Sequence, residues 1–416
     1  MLQILVYLIV FLGIINALRM AVYFILGNIY DIKSFKTKKI TKKYTPLVSI
    51  VVPAYNEEKS IRKCLESIYE SSYKKFEVIV MNDGSNDRTG KVVSEFIKET
   101  KAKKIQYYRQ KNSGKAIALN NAIKKFAKGS LVMSLDADSI IDKKAIENTV
   151  KYFTDKKIVG VASNVKILNN NTILGTIQHI EYILGYKLKK AYTVLNNEYI
   201  IGGIGSTFRK KTLEKINYYD TDTITEDIDL TMKILSMGNK ENKIVYASDV
   251  VCYTQPVPSI KSLFKQRFRW KYGRFQTLWK NKNLFFNRSN KYSKLLTFFQ
   301  LPFVIYSELT FLVDPLLIGF LIFISIKYRD VATYQDIFLF IGFYVVIAVL
   351  SEDMTMYEKI QCLLLAPLSY IFFFVISIVE YATLIKCILD KNGIFHAKEI
   401  NKCNWEHVER IVVKYS

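Results

Sequence analysis

The feature that most constrains this chain is the segregation of its apolar residues, with long runs near both ends enclosing a polar, alternating middle. Residues 2–27 are almost wholly apolar, interrupted by Gln3, Asn16 and Arg19. About 20 such residues cross the hydrocarbon core of a bilayer as a helix. The run has no basic start and no small-x-small cleavage site, so it predicts a membrane anchor over 1–30 rather than a cleaved signal peptide. Further apolar runs at 295–326, 337–350 and 363–389 predict membrane helices across 295–390, the middle run being short for a crossing. A second soluble core with so few charges is the weaker alternative.

Half of the 416 residues are hydrophobic, yet 60 Lys and Arg against 37 Asp and Glu leave a net charge of +23. Lys33, Lys36, Lys38, Lys39, Lys42 and Lys43 crowd a basic linker over 31–46 directly after the anchor. Short loops of this kind stay in the cytoplasm, which places the central zone of the chain on that side of a multi-pass cell-membrane protein. The lysines lie beside apolar runs and accompany no nucleic-acid module, so the predicted partner is membrane lipid and not nucleic acid. Five widely spaced cysteines without a C-x-x-C pair read as reduced thiols of no special role.

Residues 47–256 alternate short β-branched runs with polar helical stretches, the pattern of a parallel α/β domain. Strands are expected at 48–53, 76–81, 105–109, 131–135 and 158–165, each apolar enough for burial on both faces. Helices are expected at 60–71, 87–101 and 116–127. In such a sheet, ligands bind at the carboxyl ends of the strands.

The candidate chemistry lies at those ends. After the first strand come Pro53, Tyr55, Asn56 and Glu57, where Tyr55 could stack on a base and Asn56 or Glu57 could bond a ribose. After the second, Asn82-Asp83-Gly84 places a carboxylate that can accept from a nucleobase imide, with Asp87 as the cap of the next helix. Gly114-Lys115 puts a cation at a helix start, a natural anion site. After the fourth strand, Asp136-Ala137-Asp138 sets two carboxylates one residue apart, hard oxygen ligands for Mg²⁺ or Mn²⁺. That ion would neutralise a diphosphate leaving group. Thr225-Glu226-Asp227 offers a helix start with an acidic first turn. Gln266-Arg267-Phe268-Arg269-Trp270 offers a guanidinium for phosphate and an indole face for a sugar ring. An amphipathic segment over 257–294, with Lys261, Lys265, Lys271 and Arg274 among aromatics, is expected to lie on an anionic leaflet. The glycine run 202–205 would allow close backbone approach by an acceptor, and a plain flexible turn explains it equally.

In order and context, these residues over 48–274 resemble the family 2 glycosyltransferases. The resemblance implies a GT-A, Rossmann-like nucleotide-sugar domain inserted between transmembrane helices. By that resemblance Asp83 contacts uracil, Asp136 lies over the diphosphate, Asp138 binds the metal, and Asp227 is the base of an inverting transfer. Pro53, Tyr55, Glu57 and Lys115 are assigned to the donor; Glu226, Gln266, Arg269 and Trp270 to acceptor and diphosphate. Asn82 stands where many relatives carry an aspartate. Q-x-x-R-W implies processive polymerisation from a UDP-sugar, most like the poly-β-1,6-N-acetylglucosamine synthases, with a growing polysaccharide as acceptor. Self-association or an accessory membrane subunit is expected, because few helices are present to line a pore. Two alternatives stay open: single-sugar transfer to a polyprenyl phosphate or lipid, and a non-enzymatic basic protein binding anionic lipid. The tail 391–416 carries no legible signal.

Overall fold

The computed structural model describes residues 2–37, 44–168, 172–329, 332–352 and 354–395. The chain opens with α1 (Leu2–Thr37). The α/β rhythm then runs as β1 (Val48–Ala54), α2 (Ile61–Tyr69), β2 (Phe76–Asn82), α3 (Thr89–Thr100), β3 (Ile105–Arg109), α4 (Lys115–Lys125) and β4 (Leu131–Ser134). Next come β5 (Ile140–Ile141), α5 (Ala145–Tyr152), β6 (Ile158–Ile167), α6 (Ile173–Leu195), β7 (Ser206–Arg209), α7 (Lys210–Lys215), α8 (Glu226–Ser236) and β8 (Lys243–Thr254). The remainder is helical: α9 (Ile260–Lys280), α10 (Leu301–Tyr328), α11 (Ala332–Leu350), α12 (Met356–Leu365), α13 (Ser369–Leu389) and α14 (Lys391–Phe395).

Alternation sends successive strand residues to opposite faces, and both faces of this sheet are covered. Val48, Ile50, Val52, Val78, Val80, Leu131 and Met133 pack with Ile61, Leu65, Ile68, Val93 and Phe96 of α2 and α3. Val51, Ile79, Met81 and Val132 pack on the other side with Ala118, Leu119, Ala122 and Ile123 of α4 and with Leu230 and Ile234 of α8. Each fully buried Val, Leu, Ile, Phe or Met contributes about 1.5–3 kcal/mol. The strands therefore read as continuous apolar runs.

Pro53 lies inside β1, which runs one residue farther than expected. The N–H of Val48 donates to Lys75, across the β2 side, so alternate residues including position 53 face β4. The β4 ladder has already ended at the Val51–Ser134 pair. Proline's missing donor thus falls where no partner waits.

The sheet is mixed, not parallel throughout: its order is β3-β2-β1-β4-β7-β6-β8-β5, and β7 runs antiparallel to both β4 and β6. Four residues are too few to show a period, which is why β7 left no mark in the sequence. β3 is an edge strand, half-exposed where burial on both faces was expected.

The amino-terminal helix does not stop at the anchor boundary. It continues to Thr37, and its last turns dock on the α/β domain. Tyr30 is buried and donates to the carbonyl of Tyr246 at 2.9 Å, and Asp31 pairs with Lys187 at 3.3 Å and Lys190 at 3.0 Å, both on α6. Lys38, Lys39, Lys42 and Lys43, and the tail beyond 395, lie outside the described residues.

Among the described residues, one helical stretch, Leu295–Val313, is long and apolar enough to cross a membrane. The apolar run 363–389 is divided by a 3-10 turn, Ala366–Leu368, around Pro367. α9 departs from its expected role as a helix lying on lipid. Lys271 is 2% exposed and pairs with Glu308 and Glu380, Arg274 pairs with Glu308, and Arg267 pairs with Glu181 at 2.7 Å. These cations face the interior because carboxylates on α6, α10 and α13 await them, while Lys261, Lys265 and Arg269 remain exposed.

Candidate active site

Because β1, β2 and β4 are parallel, the segments after them share one edge, and the antiparallel β7 begins on that same edge. The loops at 55–57, 82–85, 110–115, 135–138 and 201–206 therefore gather there, joined by the start of α8.

The 82–85 turn is built by short-range bonds. The Asn82 side-chain oxygen accepts from the Ser85 N–H at 2.8 Å, and its amide nitrogen donates to the Tyr107 hydroxyl at 2.9 Å. Asparagine at this position thus serves the turn with both ends of its amide. Gly84 has φ +77, and a Cβ there would sit 2.6 Å from the Asn112 nitrogen. Asp83 is fully buried and accepts from Gln110 Nε2 (2.7 Å), Ser113 N (3.0 Å) and Gly114 N (2.8 Å). Its first task is to hold the 110–114 loop, which no sequence signal announced. Oδ2 takes one of these bonds and retains acceptor capacity for a ligand N–H.

That loop delivers Lys115. Its ammonium lies 2.8 Å from Asp136 Oδ1 and 3.0 Å from Glu226 Oε1. It stands at the start of α4 as expected, and from there it bridges two carboxylates from distant parts of the chain. Burial disfavours its charge, but Asp136, Glu226 and Asp227 outweigh burial and hold its pKa well above the ordinary value.

Asp227 accepts from its neighbour's N–H, Ile228 N, at 2.9 Å. Burial, then the adjacent Glu226, raise its pKa to about 6, with Asp136 adding and Lys115 opposing. Gly203 closes this corner: a Cβ there would lie 3.2 Å from Lys115 Nζ and 3.5 Å from Asp227 Oδ2. Asp138 is 5% exposed, and Ser139 Oγ donates to its Oδ1 at 3.3 Å. The Cys64 thiol lies against the Asp136 carbonyl at 3.7 Å, and burial first, then Asp138, Asp136 and Glu57, push its pKa well up. The half-buried Asp136 and the buried Asp138, separated by one residue and backed by Glu57, make a hard oxygen donor set that fits Mg²⁺ or Mn²⁺.

The remaining donor-side residues sit at the rim. Tyr55 is half-buried, and Asn56, with φ +57, accepts through Oδ1 from Asn86 N at 2.9 Å. Glu57 accepts from Ser60 Oγ at the start of α2. Asp87, expected as the cap of α3, accepts from Thr89 N at 2.9 Å from one residue before the cap position, which Arg88 occupies.

α9 lies across the start of α8. Gly273 packs so tightly on Thr225 that no Cβ could be added, and Gln276 Oε1 accepts from Ile224 N at 3.1 Å. Gln266, Trp270 and Gly273 succeed one another at helical spacings of four and three, so they share one stripe. Trp270 is half-buried with the Arg267 guanidinium 4.8 Å above its ring. Gln266 Oε1 is buried without a hydrogen-bond partner among the described residues. Arg269 is exposed.

Asp83, Lys115, Asp136, Glu226 and Asp227 thus form one connected chain, with Asp138 and Glu57 on its flank. Three further aspartates, Asp220, Asp222 and Asp229, went unnoticed because they are scattered among turn residues; their carboxylate oxygens lie within 4.8 Å of one another. Lys280 occupies their centre, at 2.6, 2.7 and 2.9 Å, so this is an ion-pair cluster and not the expected metal centre.

The mixed sheet with charged loops at one strand edge has the architecture of a Rossmann-like α/β domain of the GT-A type. The glycosyl transferase family 2 model matches residues 49–216. The poly-beta-1,6-N-acetyl-D-glucosamine synthase of Staphylococcus epidermidis is 34% identical over 269 residues, 62% of this chain and 64% of that protein. Its counterpart in Staphylococcus aureus strain COL is 35% identical over the same shares. The chain therefore spans just under two thirds of these relatives' length. Among solved structures, a mannosyltransferase from Pyrobaculum calidifontis, in complex with GDP-Man and Mn²⁺, superposes with a TM-score of 0.58. At 21% identity over 91% of this chain and 99% of that one, the likeness is one of fold.

Proposed function

We propose that this chain is a membrane-embedded, inverting and processive glycosyltransferase that polymerises N-acetylglucosamine from its UDP-activated form into a cell-surface polysaccharide. The α/β domain faces the cytoplasm, between α1 and the carboxyl-terminal apolar helices. The relatives' sequence similarity supports the sugar. The observation that carries the chemistry is Asp227: half-buried, its pKa raised to about 6, and held beside a lysine that ties Asp136 to Glu226.

A general base works best with a pKa near the operating pH, and Asp227 meets that condition without losing its charge at neutrality. It takes the proton of the acceptor hydroxyl as that oxygen attacks the anomeric carbon from the face opposite the diphosphate. Asp136 and Asp138 would hold Mg²⁺ or Mn²⁺, which when bound neutralises the diphosphate. Lys115 balances the carboxylates before the donor arrives. Asp83 and Tyr55 take the uridine, Pro53 and Glu57 shape the first loop, and Trp270 with Gln266 and Arg269 receive the acceptor end and the diphosphate. Lipid surrounds the apolar helices, and self-association or an accessory membrane subunit completes the exit path.

Membranes holding the protein, incubated with each of several radiolabelled UDP-sugars with and without Mg²⁺, test this reading. Polymer should form from UDP-N-acetylglucosamine alone, only with metal, and should be degraded by a hydrolase specific for β-1,6-linked N-acetylglucosamine. A product carrying a single added sugar under excess donor refutes processivity, and incorporation from a different donor refutes the sugar.

A further inference from the structure

Lys280 ends α9, and its ammonium is held by three carboxylates that belong to the other side of a helix contact. Asp220 and Asp222 precede α8, and Asp229 lies within it, two residues after Asp227. Asp229 is fully buried, and its Oδ1 has no hydrogen-bond partner among the described residues, so Lys280 is the cation that makes its charge tolerable there. A second lysine, Lys233 of α8, binds Asp220 at 2.6 Å, which fixes the loop to the helix. The same stripe of α9 that ends at Lys280 carries Gly273, pressed on Thr225, and ten residues back, about 15 Å along the axis, Trp270. Three contacts therefore set how α9 lies against the start of α8: a close approach at Gly273, the hydrogen bond from Ile224 N to Gln276, and an ion-pair clamp at Lys280. The close approach fixes distance, the neutral hydrogen bond is a single restraint, and the clamp, with three charge-assisted bonds, most strongly opposes sliding of one helix along the other.

We propose that Lys280 is a positioning residue: by clamping Asp220, Asp222 and Asp229 it holds the register of α9 against α8, and thereby places Trp270 and Gln266 relative to Asp227. The inference rests on the reading of Asp227 as the base. The clamp touches no donor group, so it governs transfer to the acceptor and leaves donor binding alone. Donor lost to water, which needs no placed acceptor, persists when the register slips.

The test uses the full-length protein in membranes, with thermal stability, donor KM, donor hydrolysis and polymer formation all measured. Lys280→Met strands the buried Asp229 carboxylate, so both stability and transfer should fall. The double variant Lys280→Met/Asp229→Asn removes the stranded charge together with the clamp. It should recover wild-type stability, keep donor KM within twofold and retain donor hydrolysis, while polymer formation stays at least tenfold down. Recovery of wild-type polymer formation in the double variant would show that charge balance alone mattered and would overturn the proposal. So would a rise in donor KM that accounts for the whole loss. Asp227→Asn run in parallel separates the two failures, because undiminished transfer in that variant removes the base reading itself, whatever Lys280 does.

Discussion

The reactive corner is decided by single side chains whose environments differ more than their chemistry. Asp83, Asp136, Asp138 and Asp227 are all carboxylates at one sheet edge. Asp83 is wrapped in three donors, while Asp227 has one backbone bond and a carboxylate neighbour. Asp227→Asn should lower transfer roughly 10²–10⁴-fold with little change in donor affinity, measured as kcat and KM for UDP-sugar. In the donor-free enzyme, log kcat/KM should rise by about one per pH unit up to about 6 and level off above it, as the base loses its proton. The stability effect has the opposite sign. A pKa raised from 3.8 to about 6 means the folded state holds the proton more tightly, so this contribution is present below 3.8 and lost as pH rises through about 6. Thermal midpoints of the donor-free protein should show that loss, and Asp227→Asn should remove it. The glycines of the 202–205 loop separate function from folding in the same way. Gly203→Ala crowds the Lys115 ammonium at 3.2 Å and only touches Asp227, so it should depress transfer at unchanged stability. Gly205, at φ +65 against Cys252, should lose about 1–3 kcal/mol on change to alanine, read by thermal denaturation.

At the scale of elements, α9 shows why composition misled. Its lysines and arginines, read as a lipid-facing stripe, divide into an outer set and an inner set that meets Glu181, Glu308 and Glu380. A helical wheel distinguishes faces but cannot say which face meets a carboxylate from a distant part of the chain. Lys271→Ala should lower stability, since Glu308 and Glu380 each lose one of two cationic partners and keep only Arg274 and Arg267, whereas Lys265→Ala should leave stability unchanged. Thermal aggregation in detergent measures both. The strands were far more legible: β1, β2, β4 and β6 fall within two residues of their expected bounds, because burial on both faces writes an uninterrupted apolar run. β7 was hidden by its length, and the mixed direction of the sheet with it.

For the whole molecule, α1 and α6 bind the apolar and α/β parts together through Tyr30, Asp31, Lys187 and Lys190. Asp31→Asn leaves two buried lysines without that carboxylate, and it should lower the stability of the α/β domain as well as of α1, seen as faster proteolysis of both. The amino-acid sequence by itself determined the segregation of apolar and polar material, the strand–helix alternation, and which residue types stand at strand ends, because these depend on local periodicity and neighbouring residues. Tertiary structure alone decided that Lys115 bridges Asp136 to Glu226, that Asp83 organises a loop, that β7 is reversed, and that Lys280 fills a nest of aspartates. Each of these joins groups from separate elements, and their charges and donors acquire meaning only once folding removes water from between them.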